Sequence, residues 1–243
     1  MKISVIQQDI LWRDPAANRL KIERLLQAGS DLYLLPEMFP TGFDVSPQAS
    51  LLDWECTLEW MKEQARNVDA ALCGSAAVCE GGRLYNRAFF VCPDGSVSVY
   101  DKHHLFRSEA REFTPGSTRT VVQYKGMRFL LLTCYDLRFP RWCRNRKDYD
   151  CVLIGASWPQ PRRYAWDTLL RARAIENQCY VAAANRVGQD PFCTYSGGTV
   201  ILGPEGEVLS QAQDNLECII TSDIELGHLE QLRSSFGVLD DAD

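Results

Sequence analysis

Three reactive side chains each stand directly after an apolar run. Glu37 follows the run in "YLLPEMFPTGF", Lys102 ends "VSVYD" in "VYDKHHLF", and Cys134 ends "MRFLLLT" in "LLLTCYDLRFP". A carboxylate, an ammonium and a thiol are the parts of nucleophilic acyl chemistry: a general base, a charge stabiliser and an attacking atom. Each also has a plain structural reading. Cys134 can be the last small residue of a buried strand, since free cysteine is among the most buried residue types. Lys102 can be a surface lysine. Glu37 can be a turn acid, although its place between Pro36 and Met38-Phe39 points to burial, where a carboxylate works as a base. His103 and His104, next to the lysine, offer a rival Cys–His scheme. That scheme leaves Glu37 and Lys102 without a task, so the two histidines are read as structural.

The elements that would carry these residues alternate between strand and helix patterns. "ISVIQQ", "DLYLLP", "AALCGSAAV", "RLYNRAFFV" and "VSVYDK" read as strands, with "CPDGSV" as a hairpin turn. Asp14-Pro15 opens a helix, with Asp14 as N-cap and Ile22, Leu25 and Leu26 at helical spacing. "WECTLEWMKEQARN" is a second helix with Leu58, Met61 and Ala65 on one face. Leu105 to Ser117 reads as a loop. "TVVQY" and "MRFLLLTC" read as paired strands, followed by a helix in the Arg141–Lys147 region and a strand "DCVLIGAS". The clearest helix runs from about Pro161 to Gln178. "CYVAAAN", "GGTVILGP", "EVLSQA" and "LECIITSDI" are strands, and a short helix and the polar tail "DDAD" close the chain. The expectation is one α/β domain over residues 1–243, with sheets covered on both faces because several strands are apolar throughout. In α/β sheets, sites assemble where strands end at their carboxyl termini.

Gross composition narrows the function. The net charge of −6 argues against nucleic acid as the main partner. The basic stretch "RFPRWCRNRK" reads as a solvated helix end. Ten cysteines occur without a CxxC pair, and with three histidines there is no zinc-ligand spacing. Several of them lie in apolar runs and read as reduced core thiols. The start "MKISVIQQDI" lacks a leader pattern, and no apolar run reaches the roughly 18 residues of a membrane span. The expectation is a cytoplasmic protein with no membrane partner.

With these segments in order, the chain resembles the nitrilase superfamily of carbon-nitrogen hydrolases. Glu in "LLPEMFPTGF", Lys in "YDKHHLF" and Cys in "CYDLRFP" match its three catalytic segments. "GASWPQPRRYAWDTLLRARAIENQCYVAAANRVG" is similar to its long segment after the nucleophile, and "FGVLDDAD" to the end of one branch. The "CYDLRFP…WPQPR…ARAIENQ" flavour resembles the omega-amidases, which hydrolyse the terminal amide of 2-oxo dicarboxylic acid monoamides such as 2-oxoglutaramate and 2-oxosuccinamate. Ser157 departs from the Ala-Asn-Trp-Pro that this branch commonly shows, which touches the fine substrate preference.

The resemblance implies a four-layer αββα sandwich, a homodimer, and no metal or organic cofactor. It implies that Glu37 deprotonates Cys134 and that Lys102 favours the thiolate. It further implies an oxyanion held by Lys102 and the Tyr135 N–H, and Glu109, rather than Glu112, as the acid that orients Lys102. Phe43, Phe113, Tyr135 and Trp158 are candidates for lining the substrate pocket. Arg138 is read as pairing with a buried acid rather than with substrate. The alternatives are an N-carbamoyl amine hydrolase or aliphatic amidase of the same superfamily, and a non-catalytic binding protein on the same fold.

Overall fold

The computed structural model describes residues 1–46, 48 and 54–241. In chain order the first half holds strand β1 (Lys2–Gln7), helix α1 (Pro15–Leu25), β2 (Leu32–Leu34), α2 (Trp54–Val68), β3 (Ala71–Glu80), β4 (Arg83–Val91), β5 (Val97–Asp101) and the short α3 (Glu109–Glu112). The second half holds β6 (Val121–Tyr124), β7 (Met127–Thr133), a 3-10 turn over Cys134–Arg138, α4 (Pro140–Cys143), β8 (Cys151–Ala156), α5 (Arg163–Asn177) and β9 (Tyr180–Asn185). It continues through β10 (Val187–Gln189), β11 (Thr194–Ser196), β12 (Val200–Leu202), β13 (Val208–Gln211), β14 (Cys218–Asp223) and α6 (Leu226–Ser235).

Two six-stranded sheets form, in the orders β14-β1-β2-β3-β4-β5 and β13-β12-β9-β8-β7-β6. Each has three parallel strands at its centre, β1-β2-β3 and β7-β8-β9, flanked by antiparallel neighbours. Period-two alternation then sorts the side chains into layers. Ile3, Val5, Leu34 and Phe90 of the first sheet meet Phe129, Leu131, Leu153 and Ala182 of the second in one buried cluster. Their neighbours face outward. Ile6, Tyr33 and Leu72 pack under Ile22 of α1 and Trp60, Met61 and Ala65 of α2. Leu130, Leu132 and Ile154 pack under Trp166, Leu170 and Ala174 of α5. The result is helix, sheet, sheet, helix, as the apolar strands required: both faces of each sheet are covered.

Local rules place the helices. The Asp14 side chain accepts the Ala17 N–H at 3.0 Å and Pro15 takes the first helical position, so α1 starts where capping predicts. In α5 the buried residues Trp166, Leu170, Arg173, Ala174 and Asn177 follow one face, and Gln178 ends the helix in the left-handed region at φ 41°. Two expectations are corrected. The helix foreseen across Arg141–Lys147 is only the four residues of α4, because the chain turns at Arg144 so that the buried Asn145 amide can donate to Tyr149 O and Asn177 O. The stretch read as a loop from Leu105 to Ser117 contains α3. In α2 Leu58 packs half-buried against the cluster of Met61 and Ala65, as expected, and Trp60 and Thr57 join that face. The last two residues of the polar tail lie outside the described residues.

The two sheets approach closely where β8 passes the chain leaving β2. A Cβ built at Gly155 would stand 2.7 Å from Leu35 O and 3.1 Å from Glu37 N, both main-chain atoms that cannot swing away. Gly155→Ala is therefore expected to lower stability by about 1–3 kcal/mol, the usual range for overpacking. Urea unfolding followed by circular dichroism measures it, and an unchanged midpoint would mean that the two segments part without strain.

Candidate active site

The sites foreseen at strand ends converge in space. β2 leads through Leu35-Pro36 to Glu37, β5 ends at Lys102, β7 ends at Cys134 and β8 ends at Ser157, all at carboxyl termini. Glu37, Lys102 and Glu109 are fully buried, and Cys134 is 9 % exposed. Lys102 Nζ lies 2.7 Å from Glu37 Oε1 and 2.8 Å from Glu109 Oε2. Glu109 Oε2 also accepts the Phe106 N–H at 2.8 Å, which fixes the carboxylate at the start of α3. Glu112, the competing acid, is exposed at the cavity rim.

Cys134 occupies a strained position. Its φ is +44°, in the left-handed region that side chains disfavour, at the junction between β7 and the 3-10 turn. Asp136, fully buried, holds this turn in place. It accepts the Thr133 N–H at 3.1 Å, the Tyr100 hydroxyl at 2.7 Å and the His104 N–H at 2.9 Å. His104 Nδ1 is also 2.8 Å from Asp136 Oδ1, and its ring stacks on Phe139 with centroids 3.6 Å apart. His103 stacks on Trp142. Both histidines therefore brace the turn, as the residue reading held.

The electrostatics follow from burial. Loss of solvent pushes the Cys134 thiol well above its ordinary pKa. The Glu37 charge adds to this, and Lys102 opposes it without overcoming it. Lys102 favours the thiolate as expected, and burial and the Glu37 charge outweigh it. Burial pulls Lys102 down, but the Glu109 and Glu37 charges outweigh it and hold the ammonium charged. Burial raises the Glu109 carboxyl from its ordinary value against the pull of Lys102.

Cys134 opens into a cavity of about 510 Å³ lined by Phe43, Tyr135, Trp158, Arg138, Phe106 and Tyr195 among others. Phe43 lies over Lys102 Nζ, 5.2 Å from ring centre to nitrogen. Phe113 does not reach the cavity; it packs with Met38 and Ala77 in a buried cluster. Arg138 also departs from its expected place. Among the described residues it makes no ion pair with any acid; its guanidinium lies 4.9 Å over the Trp158 ring and faces the cavity. The remaining cations of the basic stretch, Arg141, Arg144, Arg146 and Lys147, line a separate surface hollow. No three His, Cys, Asp or Glu side chains among the described residues converge to hold a metal ion.

Three roles lay outside the sequence reading, which named Ser157 only for substrate preference. Asn86 of β4 donates to both Glu37 Oε1 and Glu109 Oε1 at 2.8 Å. The Ser157 main-chain N–H donates to Glu37 Oε2 at 2.9 Å, and the Ser157 hydroxyl to Glu37 O at 3.2 Å. Asp136 is the third. Asn86 stands in the middle of a strand and gives no local signal. Asp136 carried one: an acid three residues past Thr133 is a capping-box spacing.

The site has the parts of a thiol-dependent acyl transfer: a buried thiol, an acid within reach of it, a fixed cation and first-turn N–H groups without intrahelical acceptors. Known proteins share this frame. An omega-amidase of Escherichia coli, YafV, is 41% identical over 248 residues, covering 100% of this chain and 97% of its own length. A 2-oxoglutaramate amidase of Bacillus subtilis is 34% identical, covering 98% and 96%. The crystal structure of a CN-hydrolase superfamily protein from Xanthomonas campestris, with an arsenic adduct in its active site, superposes with a TM-score of 0.94 at 39% identity, covering 100% and 97%. The carbon-nitrogen hydrolase pattern matches residues 2–234. On the fold, the shared residues and this match, the chain belongs to the carbon-nitrogen hydrolase family of the nitrilase superfamily.

Proposed function

We propose that this protein is an omega-amidase. It hydrolyses the terminal amide of 2-oxo dicarboxylic acid monoamides, with 2-oxoglutaramate and 2-oxosuccinamate as type substrates, to the 2-oxo acid and ammonia. The observation that carries the reading is Arg138: a guanidinium with no acid partner among the described residues, held over Trp158 in the same cavity as Cys134. An arginine so placed offers two parallel donors to the carboxylate at the far end of such a substrate. The E. coli and B. subtilis relatives support the substrate class.

The chemistry starts from a neutral thiol. Glu37 takes the Cys134 proton as the sulfur attacks the amide carbon, so no free thiolate has to form in a buried, negatively charged pocket. The carbonyl oxygen becomes an oxyanion between the Lys102 ammonium and the Tyr135 N–H. When the intermediate collapses, protonated Glu37 gives its proton to the leaving nitrogen and ammonia departs. The thioester remains. Glu37 then takes a proton from water, the hydroxide attacks the thioester carbon, and the departing sulfur recovers the proton from Glu37. Glu109 keeps Lys102 in place throughout.

The core shared by the two sheets supports reading residues 1–243 as one domain. The exposed apolar side chains Tyr164 and Ile175 on the outer face of α5 support a homodimer formed through that layer. Cys73, Cys143, Cys151 and Cys179 are buried thiols whose pKa burial pushes up, a use of cysteine suited to the reducing cytoplasm. Among the described residues no helix is long and apolar enough to cross a membrane.

Purified protein should release ammonia from 2-oxoglutaramate, and Cys134→Ala should release none. Silence from the wild type, with turnover of N-carbamoyl amines or neutral short amides, would move the reading to another hydrolase of the superfamily. Arg138→Leu should raise KM for 2-oxoglutaramate roughly ten- to hundredfold, matching the ~1.5–3 kcal/mol of a hydrogen bond to a charged group. It should leave a neutral aliphatic amide almost unaffected, and equal losses on both substrates would remove Arg138 from substrate recognition. A third test follows from the raised thiol pKa. The ultraviolet thiolate band, taken as the difference between wild type and Cys134→Ser, should be absent at pH 7. It should grow in only above the ordinary thiol value of 9.0. A full band at pH 7 would restore the ion-paired thiolate.

A further inference from the structure

Asn86 is 1 % exposed and belongs to β4, where its main-chain oxygen accepts the Lys102 N–H at 2.9 Å. Its side-chain nitrogen has two protons and two acceptors, Glu37 Oε1 and Glu109 Oε1, both at 2.8 Å. The opposite amide orientation would set the carbonyl oxygen against two carboxylate oxygens, so the partners settle which way it points. In this orientation Asn86 Oδ1 is buried and makes no hydrogen bond. A buried amide with an unsatisfied oxygen is a poor choice for packing alone.

The acceptor sites on Glu37 can be counted. Each carboxylate oxygen has two in-plane lone pairs. Oε1 receives Lys102 Nζ at 2.7 Å and the Asn86 amide at 2.8 Å, and is full. Among the described residues Oε2 receives only the Ser157 N–H at 2.9 Å and keeps one site. The carboxylate is near enough to Cys134 that its charge raises the thiol pKa.

We propose that Asn86 is a positioning residue for the reaction: together with Lys102 it saturates Glu37 Oε1, so that Oε2 alone is left to take and return the catalytic proton. This rests on the reading of Glu37 as the base. Asn86 also bridges Glu37 to Glu109, so two like charges share one amide as well as one ammonium. The titratable groups that face one another here are Glu37 from the segment after β2, Glu109 from α3, Lys102 from the end of β5 and Cys134 from the end of β7. A donor to the ionised form of a carboxylate favours that form. Taking the amide away lets the pair bind a proton at higher pH, and the acid limb of the rate profile moves up.

The test compares Asn86→Leu, Asn86→Asp and Asn86→Ser by pH–rate profile, kcat and KM, with thermal unfolding run alongside. Expected are a kcat lower by about 10- to 100-fold with KM within about threefold. The acid limb of kcat/KM should rise by about one pH unit in Asn86→Leu and further in Asn86→Asp, which adds a third carboxylate. Asn86→Ser keeps one donor and should recover part of both effects. It carries the test should the other two unfold. An acid limb that stays in place in every folded variant, with losses that track thermal stability, would reduce Asn86 to packing and overturn the proposal. Glu37→Gln separates the two layers. Wild-type turnover in that variant would remove the base itself, whereas an inactive Glu37→Gln beside unmoved Asn86 profiles would sink only the inference about Asn86.

Discussion

An ammonium group without water around it governs this molecule. Lys102 has no solvent contact, and its desolvation is offset by two carboxylates that are equally buried. Removing one member of such a set leaves an uncompensated charge inside the protein, typically at a loss of about 3–5 kcal/mol. The set therefore locks three separate segments together: the chain after β2, the end of β5 and the short α3. Burial and the Glu37 charge outweigh Lys102 at Cys134 and raise the thiol pKa, so proton transfer accompanies attack. The same arrangement that holds the fold decides how the chemistry starts.

Geometry imposes the second condition. Glu37, Asn86 and Lys102 come from the first sheet or its loops, whereas Cys134 and Ser157 come from the second. The sulfur and the carboxylate meet because Gly155 has no side chain where β8 passes the main chain of Leu35 and Glu37. The left-handed conformation at Cys134 is a further strain, and it persists because Asp136 fixes the turn from several sides at once. Rigid strands thus present reactive atoms that a flexible loop would scatter.

Much of this was legible in the chain. Apolar runs of strand length with little polar alternation announced sheets covered on both faces, and reactive residue types at three strand ends announced the site. The layer order was not legible from the runs themselves and came through the resemblance, whereas the β4-β5 and β6-β7 pairs were read directly from the chain. Asn86 was hidden because it stands beside Arg87 in the polar half of "RLYNRAFFV", and a polar residue there reads as facing water. Arg138 was misjudged because an arginine near acids in sequence suggests a pair, while the turn aims it at Trp158 instead. Phe113 was misjudged because an aromatic near a catalytic loop fits a core or a pocket equally well, and only the direction of the chain after α3 separates the two. The hairpin of β10 and β11 escaped because each strand has three residues, too few for a period to show.

The strand order has a consequence for how the protein comes to life. Among the described strands β1 is made first, yet one of its neighbours is β14, the last of them. Non-local pairing of this kind cannot be completed while the chain is still growing. Glu37 and Lys102 leave the ribosome well before Cys134, and Ser157 follows later still. Until the second sheet docks on the first, Cys134 is an ordinary thiol with no carboxylate beside it. The nascent protein is thus chemically quiet, and its nucleophile becomes competent only when assembly is complete.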